Sequence, residues 1–334
     1  MWLLTTSRAE LHFFTDASAV DGGYAILSHT WGEGEQSFQE VQAIGRTCRA
    51  AGTNPRDAVS PKIRGCCLRA ESDGYDWVWI DSCCIDKTSS TEMSEAINSM
   101  FRWYQQAEVC YAYLQDVPKN AGRVTESNSA FRRSRWHTRG WTLQELIAPA
   151  IVIFLSEEWS SLGTKYELAG LLMNLTGIRA SFLTREEHYS NASIATRMHW
   201  AARRSTTRIE DEAYSLMGLF DVHMPTIYGE GRQAFQRLQH EIMRTSVDTS
   251  LFAWGNWIPD NHLQHLVAVY NDDKAPVHHG SYLLAPFPKA FQNPFEYSPL
   301  RLDPARQPWV PVDGLGLQTQ VCATATTLDV FHKR

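Results

Sequence analysis

The sequence predicts an α/β fold: a parallel sheet flanked by helices, followed by a mainly helical C-terminal extension. Three observations predict it. Four short apolar runs lie in the first half of the chain, each bounded by turn residues or polar stretches. The clearest helical pattern falls between the second and third runs, and a crossover that long implies parallel pairing. Beyond about residue 160 the apolar residues recur at spacings of three and four instead.

The first run is Tyr24-Ala25-Ile26-Leu27-Ser28, after Gly22-Gly23. The second is residues 75–81, after the turn pair Asp73-Gly74, and the third is residues 109–114. The fourth is residues 151–155. Between the second and third, Met93, Ala96, Ile97, Met100, Phe101, Tyr104 and Ala107 share one helical face. Ser89 and Glu92 have capping-box spacing at its start. A short helix from Trp141 to Ala148 precedes the fourth run. Parallel sheets bind ligands at the carboxyl ends of their strands. Here those ends are Ser28-His29-Thr30-Trp31, Asp81-Ser82 and Gln115-Asp116.

Downstream, Ile209, Ala213, Leu216, Met217 and Phe220 form one helical stripe, and Ala234, Phe235, Leu238 and Ile242 form another. From about Trp254 the prolines are scattered without a period, which reads as irregular or short-stranded structure. The expected organisation is an α/β domain over residues 1–160, a helical extension over 161–250 and an irregular region over 251–334. The last residues carry no stop signal, so the chain reads as a piece of a longer architecture.

Composition narrows the function. The 334 residues carry a net charge of −6, which argues against a protein built to grip nucleic acid or an anionic membrane. No run approaches the length of a membrane span, and the N-terminus lacks a signal-peptide pattern, so the expected location is cytoplasmic. Seven cysteines include two adjacent pairs but no metal-ligand spacing. They read as small buried hydrophobes in a reducing compartment, and no metal or resident cofactor is expected.

The densest chemistry lies in residues 135–149, where Arg135, Trp136, Arg139, Gly140, Trp141 and Glu145 crowd together. Glu145 has two readings. With Thr142 it makes a capping box, stabilised by the helix dipole. Alternatively, it is an ionised carboxylate beside stacking rings, suited to holding sugar hydroxyls or an oxocarbenium-like centre. Residues 28–33 are either one wall of a nucleotide pocket, with Ser28, Trp31 and Gly32 facing the ligand, or a tight turn with a core Trp. Asp81 binds ribose hydroxyls or a metal, or caps the turn after it. The run of Arg203, Arg204, Arg208, Glu210, Asp211 and Glu212 reads as a solvated or salt-bridged helix start. Gly229-Glu230-Gly231 lacks the features of a phosphate loop.

Three blocks carry a family resemblance: residues 24–32, residues 79–87 running on to Met100 and residues 104–107, and residues 135–149. In that order and spacing they resemble the fungal heterokaryon-incompatibility (HET) domain. Residues 207–218 and 228–231 are similar to what often follows it. The resemblance implies a role in nonself recognition and programmed cell death. A second resemblance is to TIR domains, whose Trp-Cys-x-x-Glu-Leu motif is similar to residues 141–146, with Thr142 where TIR domains carry Cys. Gly32-Glu33 looks like the TIR loop Gly-Glu, and Glu95-Ala96-Ile97 with Ser99 loosely resembles a TIR helix. It implies a TIR/flavodoxin-like sheet and cleavage of NAD as substrate. On that reading Glu145 is catalytic, and Ser28, Trp31, Gly32, Asp81, Arg135, Arg139 and Trp141 bind the nucleotide. The alternative is a non-enzymatic module that acts through the same aromatic-rich surface, by self-association or by binding another incompatibility protein.

Overall fold

A computed structural model of the chain describes residues 1–120, 122–254 and 284–292, with a small strand pair at Val312–Asp313 and Gly316–Leu317. Seven strands form the main sheet: β1 (Trp2–Thr5), β2 (Leu11–Phe13), β3 (Ala25–His29), β4 (Trp77–Trp79), β5 (Val109–Tyr113), β6 (Val152–Leu155) and β7 (Ser161–Thr164). Their order is β2-β1-β4-β3-β5-β6-β7. The four apolar runs supply the central strands β4, β3, β5 and β6, which pair in parallel. Every residue of β3 and β5 is buried, as a strand covered on both faces requires.

The sheet is not parallel throughout. β1 pairs antiparallel with β2 and β4, and β7 pairs antiparallel with β6. Short connections permit only that direction between β1 and β2 and between β6 and β7. These three strands are short, and β2 and β7 lie at the two edges, partly exposed, so they lack the long apolar run that marks a central strand.

Helices fill the crossovers. α1 (Phe38–Ala51) and α2 (Pro61–Ser72) join β3 to β4, and α3 (Ser90–Gln106) joins β4 to β5. α1 starts in a full capping box between Ser37 and Glu40 and ends at Gly52 in the left-handed region. α3 starts at Ser89, but the Glu92 carboxylate reaches back to the amide of Asp86 at 3.0 Å rather than to Ser89. The predicted apolar stripe of α3 is buried from Ala96 to Tyr104, whose hydroxyl donates to Leu27 O at 2.8 Å. Two short helices, α4 (Ala130–Arg133) and α5 (Thr142–Ile147), precede β6. The carbonyls at the end of α5 meet Lys165, which is 2% exposed and donates to Leu146 O at 3.0 Å and Pro149 O at 2.6 Å.

The extension holds α6 (Ala169–Thr176), α7 (Ala180–Leu183), α8 (Ile194–Ala201), α9 (Asp211–Tyr214) and α10 (Gln233–Thr245). The α10 stripe of Ala234, Phe235, Leu238 and Ile242 is buried as its spacing predicts. The first stripe breaks into α9 and a 3-10 turn at Met217–Phe220, and Ile209 is left exposed. Gly218 lies against Phe101 of α3, so closely that a methyl group there would overlap the Phe101 side chain. Buried side chains of sheet and extension form one continuous hydrophobic cluster. The six described cysteines belong to the interior and are unbridged.

The acidic run around α9 is not a solvated face. Glu210 and Asp211 are buried. Glu210 Oε1 accepts from the amides of Gly229 at 2.8 Å and Gly231 at 3.1 Å. Asp211 accepts from the Tyr228 hydroxyl at 3.0 Å, and the Tyr214 hydroxyl donates to Glu230 at 2.7 Å. The Gly-Glu-Gly segment is therefore a nest of amides for an internal carboxylate. Among the described residues, no helix is long and apolar enough to cross a membrane. Most of the region read as irregular beyond Trp254 lies outside the described residues.

Candidate functional site

The parallel strands run β4-β3-β5-β6, so the chain reverses its direction of travel across the sheet between β3 and β5. A crevice for a ligand forms at such a switch point, outside the carboxyl ends of the strands. The residues that follow β3, β4 and β5 converge there. The Trp31 indole donates to Asp81 Oδ2 at 2.8 Å, and Lys87 Nζ sits 3.8 Å above the Trp31 ring. The Arg135 guanidinium donates from Nε to Thr30 Oγ1 at 2.9 Å, and its amide donates to Asp116 Oδ2 at 2.9 Å. Gly32 faces Gln115: a Cβ there would lie 3.4 Å from Gln115 Oε1.

Beneath this surface His29 is clasped between two carboxylates. Its Nδ1 lies 3.6 Å from Asp81 Oδ1 and its Nε2 lies 3.5 Å from Glu35 Oε2. Glu35 also pairs with Lys62 and accepts the Gly32 amide at 3.0 Å. Burial by itself would raise the Glu35 pKa. His29, Lys62 and the Gly32 amide outweigh that and hold it down at about 2. The mouth of the sheet is thus charged at neutral pH and braced from below.

Glu145 lies deeper. The helix-cap expectation does not hold, because the residue preceding α5 is Trp141 and no side chain caps the helix. Thr142 Oγ1 is instead 2.6 Å from Trp136 O and 2.9 Å from Arg139 O, and it accepts from Arg204 Nη1 at 2.9 Å. That hydroxyl is held by Trp136, Arg139 and Arg204, and no helix amide donates to it. Glu145, freed from capping, turns inward to the end of β3. Ser28 donates its hydroxyl to Glu145 Oε2 and accepts the Trp136 indole N–H at 2.8 Å. The carboxyl is only 6% exposed. Burial pushes its pKa up to about 8 against the pull of Ser28; Asp81 adds to the rise, while Tyr104 and Arg204 oppose it. The sequence reading expected an ionised group, whereas this carboxyl is predominantly protonated at neutral pH.

Of the predicted site residues, the fold brings Ser28, Trp31, Gly32, Asp81 and Arg135 to one mouth, with Glu145 below on Ser28. Arg139 and Trp141 turn the other way. Arg139 Nη1 donates to Thr207 Oγ1 at 2.6 Å, and Trp141 is a partner of Asp211 in the extension. Sequence reasoning missed Glu35, Lys62, Lys87 and Tyr104 as parts of the site. Glu35 follows Gly32 by three residues, the spacing of a carboxylate that returns to a turn amide, and that signal was readable. Tyr104 is hidden in the apolar stripe of α3. Among the described residues, no cluster of His, Cys, Asp and Glu is placed to hold a metal ion.

Residues 24–129 match the family model of the heterokaryon incompatibility protein (HET). The chain is a HET-domain protein. The HET match takes in Ser28, Trp31, Gly32 and Asp81 and stops before Glu145. Residues 233–307 match a domain of unknown function, DUF8212. The chain is also 48% identical over 225 residues to vegetative incompatibility protein HET-E-1 of Podospora anserina. That alignment covers 66% of this chain but 16% of the relative, so the HET-domain protein described here spans a small part of that relative's length. No solved structure matches the chain.

Proposed function

We propose that this HET-domain protein is an incompatibility effector, acting in fungal nonself recognition to trigger cell death, and that it does so by cleaving the glycosidic bond of NAD. The incompatibility role is supported by the HET match and by the relative's name. The chemical step is supported by one observation above all: Glu145, on the helix between the third and fourth parallel strands, is joined to Ser28 at the switch point. A buried, strongly perturbed carboxyl joined to the carboxyl end of a parallel strand marks a candidate functional site. The parallel strand order is also what the TIR resemblance implies.

In this reading Trp31 stacks on a base, and Arg135 meets a phosphate at the mouth. The nicotinamide ring of NAD is cationic. Its approach favours the ionised form of Glu145, lowering the raised pKa as the substrate seats. The carboxylate then stabilises the positive charge that develops on the ribose as nicotinamide leaves with the electron pair of the broken bond, and a water molecule adds to that ribose carbon and gives up a proton. The step requires that the carboxyl be uncovered from Ser28, Tyr104 and Trp136.

The test is to incubate the purified chain with NAD, with and without a crowding agent, and to measure nicotinamide. Release by wild type should fall at least about a hundredfold in Glu145→Gln with unchanged circular dichroism. Absence of release from folded protein under both conditions would overturn the enzymatic reading.

The enclosure of Glu145 favours a second reading, a non-enzymatic module that signals by self-association or by binding another incompatibility protein. Trp31 is 47% exposed and lies beside Arg135, the residue types that dominate binding energy at protein interfaces. Under this reading Trp31→Ala abolishes association in analytical ultracentrifugation, and Glu145→Gln leaves it intact.

A further inference from the structure

The segment that carries Glu145 is pinned by the extension. Residues 138–140 and 204–206 run side by side, with a parallel bridge between Arg139 and Ser205. The Gly140 amide donates to Ser205 O at 2.8 Å, and the Ser205 amide donates to Thr138 O at 2.8 Å. Arg204 crosses the same junction, donating from Nη1 to Arg139 O at 3.0 Å and to Thr142 Oγ1 at 2.9 Å. Arg139 in turn donates from Nη1 to Thr207 Oγ1 at 2.6 Å.

A hydrogen-bonded path runs from this junction to the buried carboxyl. Thr142 donates to Trp136 O at 2.6 Å, the Trp136 indole donates to Ser28 at 2.8 Å, and Ser28 donates to Glu145. Trp136 and Glu145 must both shift if the carboxyl is to meet a ligand, and they flank the pinned residues 138–142. The outer side of the junction lies in water: Ser205, Thr207, Arg208 and Ile209 are exposed. It can therefore lift with little loss of buried surface. Its closed fit has no slack. A methyl group on Gly140 would overlap Thr206 Cγ2, and Thr206 is kept from turning away because its Oγ1 donates to Arg208 O at 2.6 Å.

We propose that residues 204–207 are an autoinhibitory latch, which holds the start of α5 and keeps Glu145 covered until it lifts. The inhibitory sense rests on the reading of Glu145 as the catalytic group; the covering of Glu145 does not.

The test is to crowd the latch at Gly140 and to measure access to Glu145 by carbodiimide coupling of glycine ethyl ester, read at that residue by mass spectrometry. Gly140→Ala should speed labelling of Glu145 at least about tenfold, while hydrogen exchange in β5 stays as slow as in wild type. Adding Thr206→Ser removes the overlapping methyl, keeps the hydroxyl, and should restore the wild-type rate. Thr207→Ala removes one hydrogen bond at the surface and should speed labelling at least about twofold. Nicotinamide release from NAD, measured on the same samples, should rise with labelling. Unchanged labelling in Thr207→Ala and in folded Gly140→Ala, failure of Thr206→Ser to rescue, or a measurable release that stays level as labelling rises would each overturn the latch. Faster labelling with no nicotinamide from any sample would overturn the NAD reading and uphold the latch's hold on Glu145.

Discussion

The Ser28 hydroxyl donates to Glu145 while accepting the Trp136 indole N–H at 2.8 Å. A serine at the end of β3 thereby links two residues that lie 117 and 108 positions away along the chain. The Ser28 hydrogen bond favours the ionised carboxylate, whereas burial favours the protonated form and prevails, which makes this junction sensitive to pH.

Glu145 should make the protein less stable as pH rises. Its pKa is about 8 in the folded chain against an ordinary 4.5. Between those values the unfolded chain has released the proton and the folded chain keeps it, so stability declines across that window. At the limit the loss is on the order of 5 kcal/mol. Urea denaturation of wild type from pH 5 to pH 8 should show the decline, and Glu145→Gln should flatten it. A wild-type profile parallel to that of the variant would contradict the assigned burial.

His137 should act at the acid end. It is buried, its Nε2 is 2.9 Å from Phe131 O, and its pKa is lowered to about 4 from 6.5 by burial first and Arg204 second; Phe131 and Asp116 oppose the shift. The folded state takes up its proton later than the unfolded state. Stability is complete above pH 6.5 and is lost as pH falls toward 4, by on the order of 3 kcal/mol. His137→Gln should remove that component from the thermal midpoint measured between pH 4 and pH 6.5.

Lys165→Met should destabilise the junction between α5 and β6. The ammonium group donates to Leu146 O and Pro149 O in the interior, and removing it strands both carbonyls. The expected cost is about 2–4 kcal/mol, read as a shift of the urea midpoint at unchanged slope. Hydrogen exchange should quicken at the amides of α5 before those of β5.

Glu210→Ala should loosen the extension. Two glycine amides lose the carboxylate that organises them, at an expected cost of about 2–3 kcal/mol. Limited proteolysis should then cut near residues 225–232 while the sheet remains resistant. Cleavage unchanged from wild type would show that the nest is not what holds this segment.

The central strands were legible because each is buried on both faces, and burial of that kind demands an uninterrupted apolar run. α3 and α10 were legible because one buried face imposes spacings of three and four. α1 went unread although its Ser37 and Glu40 form a full capping box. Its buried Phe38, Val41, Gly45 and Cys48 recur at spacings of three and four, so the helix was readable by the same rule as α3. The edge strands β2 and β7 are short and partly exposed, so neither carries the apolar run that marks a central strand.

Sequence alone determined the α/β class, the four parallel strands and the position of Ser28, Trp31, Gly32 and Asp81 at or just after their carboxyl ends, because local pattern and strand polarity are enough to place them; tertiary contacts to Thr30 and Asp116 brought Arg135 there. Tertiary structure decided the state of Glu145 and the direction faced by Arg139 and Trp141. The motif spacing at Thr142 and Glu145 suits a helix cap, but a hydroxyl makes few hydrogen bonds, and Trp136, Arg139 and Arg204 take those of Thr142. Which partners win is settled by what the fold brings within 3 Å and how much water it excludes, and neither is written in the order of the residues.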